Sequence, residues 1–283
     1  MPFAVVTDST AYLPEGFADR HAVHVVPLTV HIDDRTGYDG IDVGPDELAR
    51  ALRDHRTVTT SRPNPEDFAK VYRELLASGH DGILSVHLSK ELSGTWESAR
   101  LAAEQTDPTR IRVVDSRTIA MGLGFAALQA AAVAETGAPG EEVEAAAVSA
   151  AARTRCTFVV ETLDHLRRGG RIGAAAALLG TALSVKPILH VADGRIQPLE
   201  KVRTTSRAMT RLVDLAVTAA TDVPSNTPVR VAVHHLAAPE RAAELASRLD
   251  DRLPGSVGCF VSEVGAVIGA HTGPGVLGIV ICT

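Results

Sequence analysis

Short runs of valine and isoleucine alternate along this chain with longer stretches in which apolar residues recur every three or four positions. The first pattern suits strands and the second suits helices. FAVVTDS (3–9) and VHVVPLTVHI (23–32) read as strands. PDELARALR (45–53) opens with proline and acids, as the first turn of a helix should. The loop TTSRPNP then leads into a helix over 65–78. GILSVHL (82–88) and IRVVDS (111–116) predict strands, with helices over 93–105, 118–135 and about 140–153.

The second half continues the alternation. TFVVE (157–161) predicts a strand, followed by a short helix, the turn RRGGRIG (167–173) and a helix over 174–182. Residues 183–203 predict two strands around an Asp193-Gly194 hairpin turn. Helices over 205–221 and 239–252 flank a strand over 229–236, and strands over 257–265 and 275–283 close the chain. Such alternation predicts an α/β architecture with mainly parallel sheets. The fresh strand after residue 153 predicts two α/β domains, 1–153 and 154–283. No fixed-period repeat stands out.

Composition narrows the function classes. Of 283 residues, 45% are apolar and 22% charged, the balance of a folded chain. A net charge of −6 argues against a nucleic-acid backbone as partner, and 4% aromatic content argues against base stacking. Cysteines at 156, 259 and 282 are too widely spaced for a disulfide framework or a zinc ligand set. A reducing, cytoplasmic setting is expected. The start MPFAVVTDST lacks the pattern of a signal peptide, and no long uncharged apolar run predicts permanent membrane insertion.

Three features carry chemistry. Hydroxyl-rich segments (Thr7 to Thr10, Thr59 to Ser61, Ser93 to Thr95, Asp115-Ser116) lie after predicted strands or before helices, where α/β sheets bind ligands. Ser93 and Gly94 precede a helix whose free N–H groups favour an anion. The same residues equally make N-caps and turns. Second, GAVIGAHTGPGVLGI (265–279) places His271 in a glycine-rich loop between apolar strands, either as a site residue or as a buried structural histidine. Third, RRGGRIG and KVRTTSR gather arginines, including Arg171 and Arg203, that suit carboxylate or phosphate or simply face water.

Other signals are weak. His234 and His235 are adjacent in a predicted strand, so they point to opposite faces and no metal site emerges. The spacing of Gly122, Gly124 and Ala127 fits a dinucleotide fingerprint but falls inside a predicted helix. The chain contains neither a P-loop motif nor a nucleophile elbow.

Taken together, VTDST, VVPLTV, YDGIDV, TTSRPNP, LSGTWESA, RVVDS, LRRGGRIG, LSVKPIL, DGRIQPLEKVR and GAHTGPGVLGI occur in an order that resembles the DegV family of fatty-acid-binding proteins. The likeness runs from residue 5 to residue 279. It implies a DegV-like (EDD) fold of two α/β domains with a long-chain fatty acid buried between them. It also implies a role as the non-catalytic subunit that presents the acyl carboxylate to a separate ATP-binding fatty-acid kinase subunit, giving acyl phosphate. No further cofactor and no metal are implied.

By motif matching, the resemblance assigns Thr60 and Ser61, Ser93 and Gly94, and His271 and Thr272 to the head group. It assigns Arg171 and Arg203 to the pocket mouth. Arg62 stands where the family often has Gln, Lys90-Glu91 where Ser-Gly is common, and Trp96 at a usual Tyr or Phe position. The first two change the charge around the entrance. A carboxylate is costly to bury without hydrogen bonds, which Thr60 and Ser93 would supply. The alanine-rich stretches 126–134 and 174–182 either line a narrow slot or are packing helices. Two other readings stay open: a stand-alone acyl hydrolase or phosphotransferase using Ser93 and His271, and a regulatory lipid sensor.

Overall fold

The computed structural model describes residues 2–178, 185–224 and 228–283. In chain order its first half holds β1 (Ala4–Asp8), α1 (Phe17–Arg20), β2 (Val23–Val26), β3 (Thr29–Ile32), β4 (Arg35–Tyr38), α2 (Pro45–Arg53), β5 (Val58–Ser61) and α3 (Pro65–Ala77). There follow β6 (Ile83–His87), α4 (Thr95–Thr106), β7 (Ile111–Asp115), α5 (Met121–Glu135) and α6 (Gly140–Ala152). The rest comprises β8 (Thr154–Val159), α7 (Asp164–Arg168), β9 (Lys186–Ala192), β10 (Arg195–Val202), α8 (Thr205–Thr221), β11 (Arg230–His235), α9 (Pro239–Arg252), β12 (Cys259–Glu263), α10 (Ala266–Thr272) and β13 (Leu277–Cys282).

Three sheets organise these elements. The first is fully parallel, in the order β2-β1-β6-β7. Every residue of β1 and β6 is buried, because α3 and α4 cover one face and α5 and α6 the other. This is why both strands read as apolar runs without alternation. The second sheet runs β10-β9-β8-β13-β11-β12. Here the expectation of mainly parallel sheets fails. Only β11 and β12 pair in parallel; the other four neighbours are antiparallel. The Asp193-Gly194 turn, with positive φ at both residues, folds β10 back on β9, and β13 inserts between β8 and β11 in the opposite sense. Alternation of apolar runs with helices does not encode that insertion.

Two further expectations change for local reasons. VHVVPLTVHI is not one strand. Pro27 has no N–H to donate, so the run breaks there: β2 joins the parallel sheet and β3 the three-stranded antiparallel sheet β4-β3-β5. TTSRPNP is only partly a loop, since Val58–Ser61 is an edge strand paired with β3. The predicted helix over 174–182 starts as a 3-10 turn, Gly173–Leu178, and the remainder lies outside the described residues.

Helix α5 ties the architecture together. It packs against β1 and β6 on one side and β8 and β13 on the other. Set between two sheets and α6, it leaves only Ala132 and Glu135 exposed, so it shows no polar stripe. Its small residues let both sheets come close: Ala126, Ala127 and Ala130 are fully buried. One continuous apolar cluster therefore includes residues from Val5 to Ala150 and from Cys156 to Cys282.

The second sheet divides its side chains by strand parity. Leu277, Ile279 and Ile281 of β13 pack with α8 and α9. Val280 and Cys282 face the other way, into the cluster shared with α5. Cys156 and Phe158 of β8 point to that same side. This face forms the floor of the cavity described next.

Candidate functional site

A slot lies between the two halves of the chain. Its apolar walls come from Leu28, Leu88, Leu92 and Ile119 of the first half and from Phe158, Ile196, Val267 and Val280 of the second. The cavity has a volume of about 100 Å3. Polar side chains gather at one part of its wall: Thr60, Arg62, Ser93, Arg171, His271 and Thr272.

Strand β5 delivers Thr60. Its residues alternate, with Val58 and Thr60 turned inward and Thr59 and Ser61 exposed. Ser61 touches the slot, yet its hydroxyl is 2.9 Å from Nε2 of His31 on the outer side. Thr60 Oγ1 instead lies 2.9 Å from Nε2 of His271, a contact spanning 211 residues of sequence.

His271 is not in a loop between strands, as its glycine-rich setting predicts. It occupies the last turn of α10. That short helix is held by the other half of the chain. The N–H of Ala266 donates to Asp39 Oδ1 at 2.7 Å, and the N–H of Ile268 donates to Tyr12 Oη at 3.1 Å. Tyr12 Oη and Ser9 Oγ both donate to Asp39 Oδ2. Burial pushes the Asp39 carboxyl up to about 6, against the lowering pull of these hydrogen bonds.

The His271 ring is pressed between Thr60 and Gly169. Its Nδ1 is buried with no hydrogen-bond partner. A Cβ at position 169 would come within 2.0 Å of that nitrogen, so glycine is needed there for space. Burial, then the neighbouring Arg171 charge, brings the imidazole down to about 4, which makes it neutral near pH 7. Arg171 is fixed by its own carbonyl contacts: Nε donates to Leu92 O at 2.9 Å and Nη1 to Gly169 O at 2.6 Å.

Ser93 precedes the N-cap of α4. Its Oγ lies 2.9 Å from Thr95 Oγ1 and accepts the Thr95 N–H at 3.3 Å. Gly94 does not line the slot; it makes room for the Arg62 guanidinium, whose Nη1 would be 2.4 Å from a Cβ there. Thr272 lines the slot, but its hydroxyl donates to Ile268 O within the helix. Arg203 is exposed beyond β10 and is not among the lining residues.

Sequence reasoning missed Arg62 as a wall residue and treated His234 only as a metal candidate. His234 lines the slot with a fully committed ring: Nε2 accepts the Met121 N–H at 3.1 Å, and Nδ1 is 3.0 Å from Ser262 Oγ. Burial takes it down to about 4. Among the described residues no group of three or more His, Cys, Asp or Glu could hold a metal, and no helix is long and apolar enough to cross a membrane. Residues 126–134 do not line the slot; those alanines are packing surface of α5.

A family model described as "Uncharacterised protein, DegV family" matches residues 2–283. The chain belongs to the DegV family. It is 56% identical over 278 residues to the DegV domain-containing protein SCO2569 of Streptomyces coelicolor, covering 98% of this chain and 97% of that one. Among solved structures, a DegV family protein from Thermus thermophilus, described for its fatty acid binding, is 36% identical with a TM-score of 0.93, covering all of both chains. DegV of Bacillus subtilis, described as a fatty acid binding protein, is 36% identical with a TM-score of 0.90, covering 100% of this chain and 99% of that one. The DegV relationship thus spans both halves and the slot between them.

Proposed function

We propose that this DegV chain binds a long-chain fatty acid in the slot and presents its carboxylate to a separate ATP-binding kinase subunit. The observation that carries the reading is the shape of the site: an apolar slot with hydroxyls and an arginine gathered at one part of its wall. The fatty acid binding described for the Thermus and Bacillus relatives supports it. Each buried methylene contributes about 0.8 kcal/mol, so an acyl tail binds tightly through area alone. The head group then needs donors, because a buried carboxylate without them is costly.

A neutral His271 carrying its proton on Nε2 would donate to Thr60 Oγ1. That turns the threonine proton toward the slot, where it would donate to the carboxylate together with Ser93. Phosphorylation would proceed on the partner: a carboxylate oxygen attacks the terminal phosphorus of ATP, the acyl O–P bond forms and ADP leaves. This chain would hold and orient the acyl group, with no cofactor of its own. Arg203, outside the slot, would meet the partner. We also assign the chain to the cytoplasm, in keeping with its three free cysteines, and divide it into domains 1–153 and 154–283.

The hydrolase reading is less well supported. Ser93 Oγ bonds to Thr95 and His271 Nε2 bonds to Thr60, so the two form no nucleophile–base pair. Denaturing mass spectrometry of the protein purified from a bacterial host should reveal a bound fatty acid. The Thr60→Ala, Ser93→Ala double variant should bind palmitate at least about tenfold more weakly. Unchanged affinity would remove the head-group assignment.

A further inference from the structure

A buried polar cluster lies beside the slot without lining it. Asp8 ends β1 and His87 ends β6, neighbouring strands of the parallel sheet. Asp8, His87, Ser85 and Tyr72 are fully buried, and none of them is a wall residue of the slot. Buried polar groups are costly unless they are hydrogen-bonded, and these are bonded in one direction. Tyr72 Oη donates to Ser85 Oγ at 2.7 Å, and Ser85 Oγ lies 2.7 Å from His87 Nε2. The serine has one proton, so it donates to Nε2, and the ring proton sits on Nδ1, 3.0 Å from Asp8 Oδ2. In that arrangement every proton of the series has an acceptor. The His87 ring also packs edge-on against Phe68, with ring centroids 4.9 Å apart.

At Asp8 this series of bonds ends and two loops begin. Oδ2 also accepts the N–H of Leu88 at 3.0 Å, and Oδ1 accepts the N–H of Thr10 at 3.1 Å and its hydroxyl at 2.5 Å. The first loop leads to Ser93. The carbonyl of Ser89, next to Leu88, accepts the N–H groups of Leu92 and Ser93 at 3.0 and 3.1 Å. Leu88, Leu92 and Ser93 all line the slot. The second loop leads to His271. Asp8 caps the 3-10 turn Ser9–Ala11 through the Thr10 N–H; Ser9 of that turn and Tyr12, which follows it, both donate to Asp39 Oδ2. Asp39 and Tyr12 in turn accept N–H groups of the first turn of α10, which carries His271 at its other end. Both arms reach the head-group corner from one carboxylate outside the slot.

We propose that Asp8 is the positioning residue of the head-group corner, setting Ser93 through Leu88 and His271 through the Ser9–Tyr12 turn, while His87, Ser85 and Tyr72 fix the plane of its carboxylate. The proposal rests on the slot taking a fatty acid with its carboxylate at Thr60 and Ser93. Both oxygens of Asp8 face two donors each. An amide at position 8 therefore turns an NH2 group toward donors, and one arm loses its anchor whichever way the amide lies.

The test is a double-mutant cycle on palmitate affinity, read by calorimetric titration of delipidated full-length protein. Asp8→Asn in the otherwise unaltered chain should weaken palmitate at least about tenfold, the scale of one charge-assisted hydrogen bond lost at the corner. In the Thr60→Ala, Ser93→Ala background, where the positioned hydroxyls are absent, the same substitution should cost less than about twofold. A residue that only supports the fold would subtract equally in both backgrounds. Val6→Ala, which opens a cavity in the same strand, is the control: it should melt at a lower temperature with palmitate affinity kept within about twofold. Ser85→Ala keeps the carboxylate but releases the His87 ring. It should repeat the Asp8→Asn pattern with a smaller loss, and it decides the matter should Asp8→Asn not fold. Equal losses in the two backgrounds, or no loss in the first, overturn the proposal while the fatty-acid reading stands. If the unaltered protein binds no palmitate, that reading fails and the positioning role falls with it.

Discussion

Gly169→Ala isolates the contribution of His271 to ligand binding. Gly169 has φ −76° and ψ −6°, a right-handed conformation that alanine adopts without strain. The new methyl would nevertheless stand 2.0 Å from His271 Nδ1 and 2.8 Å from Cε1. Ordinary contact begins near 3.4 Å, so the ring must retreat by more than 1 Å. It has no room to do so unchanged, because Nε2 on its far side is already 2.9 Å from Thr60 Oγ1. The ring must tilt, and the bond that orients the Thr60 hydroxyl breaks. Overpacking of this kind costs about 1–3 kcal/mol of stability. Loss of an oriented donor to a carboxylate costs about 1.5–3 kcal/mol, or roughly 10- to 100-fold in palmitate affinity. Gly170→Ala is the matched control. Gly170 has φ +72° with nothing within 4 Å of a Cβ, so alanine strains the backbone by about 1–2 kcal/mol and leaves the imidazole alone. Thermal melts should show both variants destabilised, while palmitate titration should separate them. Equal palmitate affinity in the two variants would refute the role given to the Thr60–His271 contact.

Two buried groups should give stability opposite slopes with pH. His234 drops to about 4 in the folded chain, so its stabilising contribution is complete above about 6.5 and is lost as pH falls toward 4, about 3 kcal/mol in all. His234→Gln should flatten that acid loss in thermal melts between pH 7 and pH 4. Asp39 rises to about 6, so its contribution is present below about 4 and is lost as pH climbs through 6, again about 3 kcal/mol. Asp39→Asn should remove this decline, and unchanged slopes in both variants would contradict the burial argument. Val280→Phe places a ring in the slot, and should shift binding from palmitate toward shorter acyl chains; an unaltered chain-length profile would mean that the acyl tail lies elsewhere.

The sequence by itself determined much of the parallel half. Proline and acids at 45–48 start α2 where the pattern predicts, and the apolar runs at 4–8 and 83–87 become buried central strands. These features depend on neighbours a few residues apart, which local physics reads well. The sequence also marked Thr60, Ser93, Arg171 and His271, through motifs that resemble DegV, as residues of one site. Only the tertiary structure decided how they meet. The 211-residue contact between Thr60 and His271 depends on β5 pairing with β3 and on α10 being held by Asp39 and Tyr12. A glycine-rich stretch gains too little from its own residues to become a helix, so the helix appears only when distant side chains accept its first N–H groups. The mainly antiparallel second sheet and the burial of α5 between two sheets arise in the same way, from the packing of distant segments that periodicity does not record.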